Sequence, residues 1–381
     1  MRICKHFGKC GGCSFQDIDY KEELKIKEEN IKKLMEFYQI PTTLLRPINY
    51  YNEWFYRNKM EFSFSYNNDI VCGLYAKGNN SLVVDIEECL IFSLDLPVIL
   101  KTLKEFVKER SYIPYNKFSR KGFLRNFIVR ETKFSKELMI GIVTTSHCDF
   151  DKVGFVKTFS SLKLSSNLKS IYLITNNSLS DAVIFDKKEL IYKDEFIFED
   201  LDKFKFIIGI NSFFQANSEG ALDFYKKIKK YASLKKENVL DLFCGIGGIG
   251  IFLSEDAKFV FGVELNKDAI SNAIENAKIN NIKNISFYNS DVRKFLNLEF
   301  NYKDISLLVV NPPRAGISNK IKRAILRLNP KVIIYSSCNP TTFFRDIKDL
   351  SLKYNINFVE PFDFFPKTPH IEILGYLKIK D

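Results

Sequence analysis

The second half of the chain predicts an α/β fold with a doubly wound, mostly parallel sheet. From about residue 205 onward, short apolar runs alternate with helical patterns, and a glycine-rich turn follows the first of these runs. Alternation of this kind is typical of βαβ units, in which each crossover helix returns the chain to a parallel strand.

Six strands and two helices of this half follow from periodicity. The stretch NKDAISNAIENAKINN has a helical pattern, and GIGGIGIFLSE begins as a turn and continues as a helix. A last apolar run begins after His370 and predicts a final strand. The other strands are predicted over apolar runs bounded by polar residues: NVLDLF, KFVFGVEL, ISFYNSD, DISLLVVN and KVIIYSS.

The first half has a different pattern. Residues 20–39 predict an amphipathic helix, because Lys and Glu alternate with an apolar face made of Leu24, Ile31, Leu34, Met35 and Tyr38. Residues 40 to about 200 predict mostly strands, in the runs KMEFSFSY, FIVRETKF, ELMIGIVTT and SIYLITNN. We therefore expect two domains, 1–205 and 206–381, with helix 20–39 packed on the second domain.

Composition limits the class of protein. The chain has 381 residues, of which 46% are hydrophobic, so it is expected to be globular, and its net charge of +11 favours a nucleic-acid partner over neutral ones. A soluble protein dispersed by its lysines is the alternative. No apolar run approaches the ~20 residues that span a bilayer. The N-terminus lacks the apolar region of a secretory signal, so we expect a cytoplasmic protein.

A ligand site is predicted at VLDLFCGIGGIG, residues 239–250. Glycines such as Gly245 allow a close approach of the backbone to a ligand, and a helix start offers free N–H groups. Asp241, Glu264 and Asp291 each end a predicted strand, and a carboxylate there can accept hydrogen bonds from ribose hydroxyls. The spacing G-x-G-G-x-G differs from a dinucleotide fingerprint. The whole set resembles class I S-adenosylmethionine (SAM) methyltransferases, and Cys244 is interpreted as a packing residue.

Three more segments carry candidate chemistry. NPPR (311–314) resembles the N-P-P-aromatic motif of amino-methylating enzymes, but Arg stands where they stack the target base, which argues against amino methylation. Cys338 ends a strand at the same sheet edge, where a thiolate could attack an electrophilic carbon, although a buried inert cysteine is the alternative. Glu372, two residues after His370, could act as a general base if burial raises its pKa.

The motifs SFFQAN (212–217), DLFCGIGG (241–248), NPPR, SSCNP (336–340) and FPKTPHIE (365–372) occur in this order. Together they resemble the RNA uracil-C5 methyltransferases of the TrmA/RumA family over essentially the whole chain. The resemblance implies that Cys338 attacks C6 of a uracil, that C5 then takes a methyl group from SAM, and that Glu372 removes the C5 proton. It also implies SAM contacts from Gln215, Phe243, Glu264 and Asn311. Many members carry Asp where this chain has Asn311.

The eight cysteines favour metal binding or catalysis over a disulfide scaffold. Three of them form a C-x5-C-x2-C pattern: Cys4, Cys10 and Cys13. Spacing leaves zinc and a [4Fe–4S] cluster equally open, with Cys72 or Cys89 as the fourth ligand. The resemblance implies a [4Fe–4S] cluster held by these three cysteines and Cys89. We expect a structural cluster, because methyl transfer needs no electron transfer.

A basic and aromatic segment at 112–130 suits phosphate contact and base stacking. Half-buried sheet aromatics with solvated charges are the alternative. The side chains concerned are Lys117, Arg120, Lys121, Arg125, Arg130, Tyr112, Tyr115, Phe118, Phe123 and Phe127.

The expected substrate follows from the branch of the family that the chain resembles. The cysteine pattern, Asn311 and a start without a TRAM-type β-barrel are similar to the branch that methylates uridine 747 in a hairpin of 23S rRNA. Uridine 1939 of 23S rRNA and uridine 54 of tRNA are the alternatives with the same chemistry. A non-catalytic iron–sulfur RNA-binding protein is the alternative from another class. We expect a monomer with an RNA partner and neither a DNA nor a membrane partner.

Overall fold

The computed structural model describes residues 2–179, 185–297 and 304–380. The chain forms two compact units: the first comprises Met1–Asp19, Asn52–Asp200 and Ile208–Asn211, and the second Tyr20–Tyr51, Leu201–Ile207 and Ser212–Asp381. The first helix, α1 (Tyr20–Phe37), is part of the second unit. Both units are discontinuous in sequence, whereas the prediction was a single boundary near residue 205. Within the described ranges no helix is long and apolar enough to cross a membrane.

The first unit contains a seven-stranded sheet. Its strands are β1 (Lys59–Tyr66), β2 (Ile70–Ala76), β3 (Asn79–Asp85), β4 (Leu124–Glu131), β5 (Glu137–Thr144), β6 (Asn167–Thr175) and β7 (Lys187–Lys193). Their spatial order is β3-β2-β1-β4-β5-β6-β7, and all neighbours are antiparallel except the parallel pair β5–β6. The predicted strands are confirmed to within a few residues at their ends.

Two helices of the first unit were missed by the prediction of mostly strands over 40–200. They are α2 (Leu96–Glu109) and α3 (Lys152–Ser160). In α2 six apolar side chains recur at helical spacing and are buried in the core against the sheet: Leu96, Ile99, Leu100, Leu103, Phe106 and Val107. Asp151 begins α3 by accepting a hydrogen bond from Gly154 N at 2.8 Å. Both signals are local and were present in the sequence.

The second unit contains the predicted doubly wound sheet, which is confirmed. Its strands lie in the order β12-β11-β10-β13-β14-β16-β15. A separate two-stranded sheet of β8 (Ile197–Leu201) and β9 (Phe204–Ile208) lies earlier in the chain, where the sequence passes from the first unit to the second. The strands are β10 (Asn238–Leu242), β11 (Phe259–Glu264), β12 (Ile285–Asn289), β13 (Ile305–Val310), β14 (Val332–Ser337), β15 (Tyr354–Phe362) and β16 (Glu372–Ile379). The helices are α4 (Ser218–Ala232), α5 (Gly248–Leu253), α6 (Lys267–Ile279), α7 (Val292–Asn297), α8 (Asn319–Leu328) and α9 (Pro340–Leu350).

Strand direction distinguishes the two halves of this second sheet. Strands β10 to β14 are parallel to one another, whereas β16 is antiparallel to both β14 and β15. The carboxyl ends of the parallel strands therefore share one edge of the sheet with the first residue of β16. We call this edge the rim.

Residues 42–49 cover the outer strand β15. After a short 3₁₀ turn at Thr42–Leu44, Arg46 N donates to Val359 O at 2.8 Å and Asn49 N donates to Pro361 O at 2.9 Å. An edge strand with unpaired N–H and C=O groups is a site of aggregation, and this segment satisfies part of that edge.

The buried face of α1 is only partly apolar. It consists of Glu23, Lys27, Ile31 and Met35, which recur every four residues. The prediction that Lys and Glu lie off the buried face is therefore wrong for Glu23 and Lys27. Ile31 and Met35 lie in the apolar core of the second unit, next to residues of its sheet.

Replacing Ile31 by Ala should lower the free energy of unfolding by about 2–5 kcal/mol, because a buried aliphatic side chain is removed and a cavity remains. Phe37→Ala is the matched control on the same helix, since Phe37 is 76% exposed and should change the free energy by less than about 0.5 kcal/mol. Urea denaturation measures both. Equal effects would contradict the packing of α1 in this core.

Candidate active site

The rim collects the candidate residues of the second unit. Phe243–Gly247 follow β10, Glu264 ends β11, Asp291 comes two residues after β12, Asn311 follows β13 and Cys338 follows β14. Because these strands are parallel, their carboxyl ends meet at one edge, which is where open α/β sheets bind ligands.

The loop after β10 has a backbone that most residues disfavour. Phe243, Gly245 and Gly247 have φ angles of +61°, +54° and +84°. A Cβ on Gly247 would lie 2.8 Å from the ring of Phe287, so the position requires glycine for space as well as for φ. Gly245, in contrast, has no atom within 4 Å of where its Cβ would be, so open space lies in front of its backbone.

Three carboxylates surround this loop. Asp241 is fully buried; its Oδ2 accepts a hydrogen bond from Gly250 N at 3.1 Å, its Oδ1 has no hydrogen-bond partner within the described residues, and burial raises its pKa to about 7. Glu264 accepts from Gly245 N at 3.3 Å, which ties the end of β11 to the loop. Asp291 accepts from Lys294 N at 2.9 Å at the start of α7.

Asn311 and Gln215 are two further candidate residues of the second unit. Asn311 N donates to Leu242 O at 3.3 Å, so it lies between β10 and β13, where the strand order of the sheet reverses. Gln215 is buried in the segment before α4, and Asn217 begins that helix by accepting a hydrogen bond from Gly220 N at 3.0 Å. An orphaned carboxylate oxygen, open space before a glycine backbone and acids at two strand ends fit a nucleoside ligand such as SAM.

Cys338 and Glu372 lie where two paired strands meet the rim. Ser337, the last residue of β14, is paired with Ile373 of β16. Cys338 follows Ser337 and Glu372 precedes Ile373, so the two are neighbours across the antiparallel pair. Glu372 is 3% exposed, its Oε1 has no hydrogen-bond partner within the described residues, and burial raises its pKa to about 8. The half-buried thiol of Cys338 has a raised pKa, first because of burial and then because of the negative charge of Glu372.

Arg314 is a cation near Cys338, and its effect on the thiol was not expected from the sequence. Its charge lowers the pKa of Cys338 and so partly offsets burial. Its carbonyl oxygen accepts hydrogen bonds from Asn339 Nδ2 at 2.9 Å and from Thr342 Oγ1 at 3.1 Å, which fixes the 311–314 loop against the start of α9. The sequence showed this arginine only as the replacement of an aromatic ring.

Tyr225 of α4 is a second residue that sequence reasoning missed. A Cβ on Gly248 would lie 2.7 Å from its hydroxyl, so the side chain reaches the glycine-rich loop. Burial, Asp241 and Glu372 all raise its pKa, in that order, so its hydroxyl stays neutral. Nothing in an amphipathic helix marks one tyrosine as such a neighbour.

The four cysteines assigned to a cluster come together in the first unit. These are Cys4, Cys10, Cys13 and Cys89, and all four line one cavity of about 170 Å³. Its other walls include Met60, Leu74, Ile86 and Ile91. Within the described ranges, no group of three or more His, Cys, Asp or Glu side chains is placed to hold a metal ion. The predicted metal site is thus not shown, although the predicted cysteines are neighbours. Cys72 is buried in the core and Cys148 is exposed, as ordinary residues.

The basic and aromatic segment is mostly part of the sheet of the first unit. Arg125 and Arg130 are buried, and their guanidinium groups donate to the carbonyl oxygens of Asn176 at 3.1 Å and Ile210 at 3.1 Å. The interpretation of these two as phosphate contacts is therefore wrong. Tyr112, Phe123 and Phe127 are buried too. The exposed part is the turn made of Lys117, Phe118, Ser119, Arg120 and Lys121.

Comparison with known proteins identifies the family. Residues 19–380 match the model of the tRNA (uracil-5-)-methyltransferase family. An uncharacterized RNA methyltransferase of Clostridium tetani is 35% identical over 99% of this chain and 84% of its own length. The tRNA (uracil(54)-C(5))-methyltransferase of Pyrococcus furiosus is 34% identical over 98% of this chain and 84% of its own.

A solved structure has a similar fold. The tRNA (uracil-54, C5)-methyltransferase of Pyrococcus abyssi, in complex with S-adenosyl-L-homocysteine, superimposes with a TM-score of 0.79 at 30% identity, over 96% of this chain and 85% of that one. The fold is that of class I SAM-dependent methyltransferases. The chain belongs to the RNA uracil-C5 methyltransferase family, which confirms the resemblance read from its motifs.

The raised pKa of Glu372 makes the stability of the protein depend on pH. The folded state binds this proton more tightly than the unfolded chain, so the stabilising contribution is complete below the ordinary pKa of 4.5 and is lost as pH rises to about 8. Glu372→Gln removes this loss. The melting temperature of the variant, relative to the unmodified protein, should therefore increase steadily from pH 5 to pH 8.

Thermal denaturation at several pH values measures this difference. Glu36→Gln, an exposed position on α1, is the control and should show a difference that does not change with pH. A flat difference for Glu372→Gln as well would mean that Glu372 is not buried as a neutral acid.

Proposed function

We propose that this chain methylates C5 of a uridine in RNA, with Cys338 as nucleophile and Glu372 as general base. The observation that supports this is that Cys338 directly follows β14 and Glu372 begins β16, next to the antiparallel pair Ser337–Ile373 and at the rim that carries the glycine-rich loop. Uracil C5 is a poor nucleophile, and the pair supplies the two things that the reaction needs, an adduct at C6 and a base for the C5 proton.

The steps conserve atoms and charge. The Cys338 thiolate forms a bond to C6, and the electron pair of the C5–C6 double bond moves towards C5. This electron pair forms a bond from C5 to the methyl carbon while the bond from that carbon to the donor sulfur breaks, and the demethylated donor leaves with the electron pair of the broken bond. C5 then carries both its own hydrogen and the new methyl group. Glu372 takes that hydrogen as a proton, the C5–C6 double bond re-forms, and the C6–S bond breaks to return the thiolate.

SAM is the methyl donor that the rim fits. We propose that Glu264 and Asp291 bind its ribose and adenine side, that Gly245 and Asp241 lie along its amino-acid part, and that Gln215, Phe243 and Asn311 complete the site. Bound SAM supplies an electrophilic methyl group. The chain's own contribution is to orient this group towards the base held between Cys338 and Glu372.

The charges at the site suit the order of these steps. Arg314 favours the thiolate that begins the reaction, since it lowers the pKa of Cys338. Burial raises the pKa of Glu372 to about 8, so at neutral pH this carboxyl first releases its own proton to solvent and then acts as the base. A carboxylate in an apolar site is a stronger base than one in water, so its placement favours removal of the C5 proton.

Cys338→Ala should reduce methyl transfer by roughly 10³-fold or more, since only binding and electrostatic effects remain without the nucleophile. RNA binding should be retained. Cys148→Ala, at an exposed thiol, is the matched control. Tritiated methyl transfer from SAM to RNA and a filter-binding assay measure the two properties. Unchanged transfer in Cys338→Ala would exclude this mechanism, and an inactive unmodified protein that binds RNA would favour the non-catalytic alternative.

We also propose that Cys4, Cys10, Cys13 and Cys89 hold a [4Fe–4S] cluster. Four thiols that line one cavity with apolar walls are the support, since clusters of this type are held by four cysteines. A cubane separates its cysteines more widely than a single ion does, so the four can be neighbours without forming a site for one ion. The cluster would cross-link the N-terminal segment that carries Cys4, Cys10 and Cys13 to the segment that carries Cys89.

Cys89→Ser should lower the iron content from about four atoms per anaerobically purified chain, because one of the four ligands is lost. The visible absorption of the cluster should fall with it. Cys148→Ser is the control and should keep both. Iron analysis and absorption spectra measure the effect, and full iron content in Cys89→Ser would exclude Cys89 as a ligand.

We propose uridine 747, in a hairpin of 23S rRNA, as the target, because the cysteine pattern and Asn311 are similar to the branch of the family that methylates it. The exposed turn from Lys117 to Lys121 combines three cations with the ring of Phe118, which is 83% exposed, and suits contact with phosphates and an unstacked base. Uridine 54 of tRNA is the second candidate, supported by the names of two relatives.

Mass-spectrometric mapping of 5-methyluridine in cells with and without the gene decides between the targets. Loss at one 23S hairpin uridine is the expected result. Loss in the T-loop of tRNA alone, or at uridine 1939, would replace the proposed target and keep the chemistry.

A further inference from the structure

A buried ion network joins α1 to the connection between β15 and β16. Lys27 Nζ lies 2.7 Å from Glu23 Oε1 and 2.7 Å from Asp363 Oδ1, and it donates to Phe365 O at 3.3 Å. The hydroxyl of Tyr20 donates to Asp363 Oδ2 at 3.0 Å. The charged side chains of Glu23, Lys27 and Asp363 are at most 2% exposed.

The same network reaches the connection at a second point. Lys367 N donates to Glu23 Oε1 at 2.8 Å, and Lys367 Nζ lies 3.6 Å from Glu23 Oε2. Lys367 has a φ angle of +67°, which is unusual for a residue with a side chain and shows that its surroundings hold the backbone there. Three residues of α1 thus hold the connection: Tyr20 and Lys27 at Asp363, and Glu23 at Lys367.

These anchor points lie next to the proposed general base. Phe362, the last residue of β15, is paired with Glu372, the first residue of β16, and Asp363 follows Phe362 directly. The connection from 363 to 371 therefore starts and ends beside Glu372. Any change in its path would change where β16 begins and where the Glu372 carboxyl points.

Stability alone does not account for four buried charges. Desolvation cancels most of the attraction within a buried ion pair, and apolar residues of similar size often stabilise a fold as well or better. Ion pairs and hydrogen bonds have preferred distances and directions, so they select one conformation of a connection that would otherwise have several.

We propose that the Tyr20–Glu23–Lys27–Asp363–Lys367 network is a positioning device for Glu372, which sets the carboxyl opposite Cys338. The proposal rests on the role given to Glu372 above. These five are positioning residues, since they act through the connection and not on the substrate. Helix α1, which precedes the sheet by some 200 residues in sequence, then belongs to the active site in function.

The test uses the thiol of Cys338 and no RNA. Cys338 is alkylated with iodoacetamide at pH 9, where Glu372 is ionised and its negative charge disfavours the Cys338 thiolate. Peptide mass spectrometry measures the rate of alkylation. Tyr20→Phe removes one hydrogen bond without a change in volume, and Lys27→Met removes the central charge. Each is measured with Glu372 and with Glu372→Gln. Lys32→Met is the control, because Lys32 pairs with Glu28 on the exposed face of α1.

Both network variants should raise the alkylation rate at least threefold when Glu372 is present, because a displaced carboxylate no longer opposes the thiolate. The increase should vanish with Glu372→Gln, and Lys32→Met should have no effect. Unchanged rates in both network variants would overturn the proposal, as would an increase that persists with Glu372→Gln, which is the result of general loosening. Because no methyl transfer is measured, failure of the proposed reaction is seen separately, in Cys338→Ala.

Discussion

The antiparallel pairing of β16 with β14 is the constraint on which the site depends. Parallel strands bring only their last residues to the rim, and Cys338 arrives there in this way. Because β16 runs in the opposite direction, its first residue, Glu372, lies at the same edge. If β16 ran parallel to β14, Glu372 would lie at the opposite edge of the sheet. The two edges are roughly 20 Å apart along the six residues of β14, at ~3.3 Å each. One reversal of direction therefore places the proposed nucleophile and the proposed base at the same edge of the sheet.

The rim is held in place by buried polar contacts of its surroundings. Asp346 of α9 is fully buried and accepts hydrogen bonds from Tyr335 of β14 at 2.7 Å and from Ile317 N at 2.8 Å, and Lys322 lies 3.0 Å from it. This group ties α8, α9 and the strand before Cys338 together. Asp241 and Glu372, in contrast, each keep a buried oxygen without a hydrogen-bond partner in the described residues. The carboxyls that we propose to contact ligands are thus the ones whose burial destabilises the fold.

Periodicity and rim position predicted the parallel strands β10 to β14 and the candidate residues at their ends, because βαβ units have strong local signals. They did not predict that Glu23 and Lys27 are buried, since an amphipathic pattern assigns charges to solvent and the compensating partners lie some 340 residues away. The direction of β16 and its register with β14 are also long-range properties. In the first unit, Arg125 and Arg130 had the composition of a nucleic-acid surface, but their strand is buried, which alternation within one strand does not reveal.

A covalent intermediate tests the central claim most directly. Glu372→Gln keeps the nucleophile and removes the base, so the C5 proton stays and the bond from C6 to sulfur cannot break. After incubation with SAM and transcripts of the 23S hairpin and of tRNA, the variant is digested and its peptides are analysed by mass spectrometry. The account predicts a peptide in which the sulfur of Cys338 is bonded to C6 of a 5-methyl-5,6-dihydrouridine nucleotide. An adduct at another residue, an adduct without the methyl group, or full turnover with no adduct would contradict it.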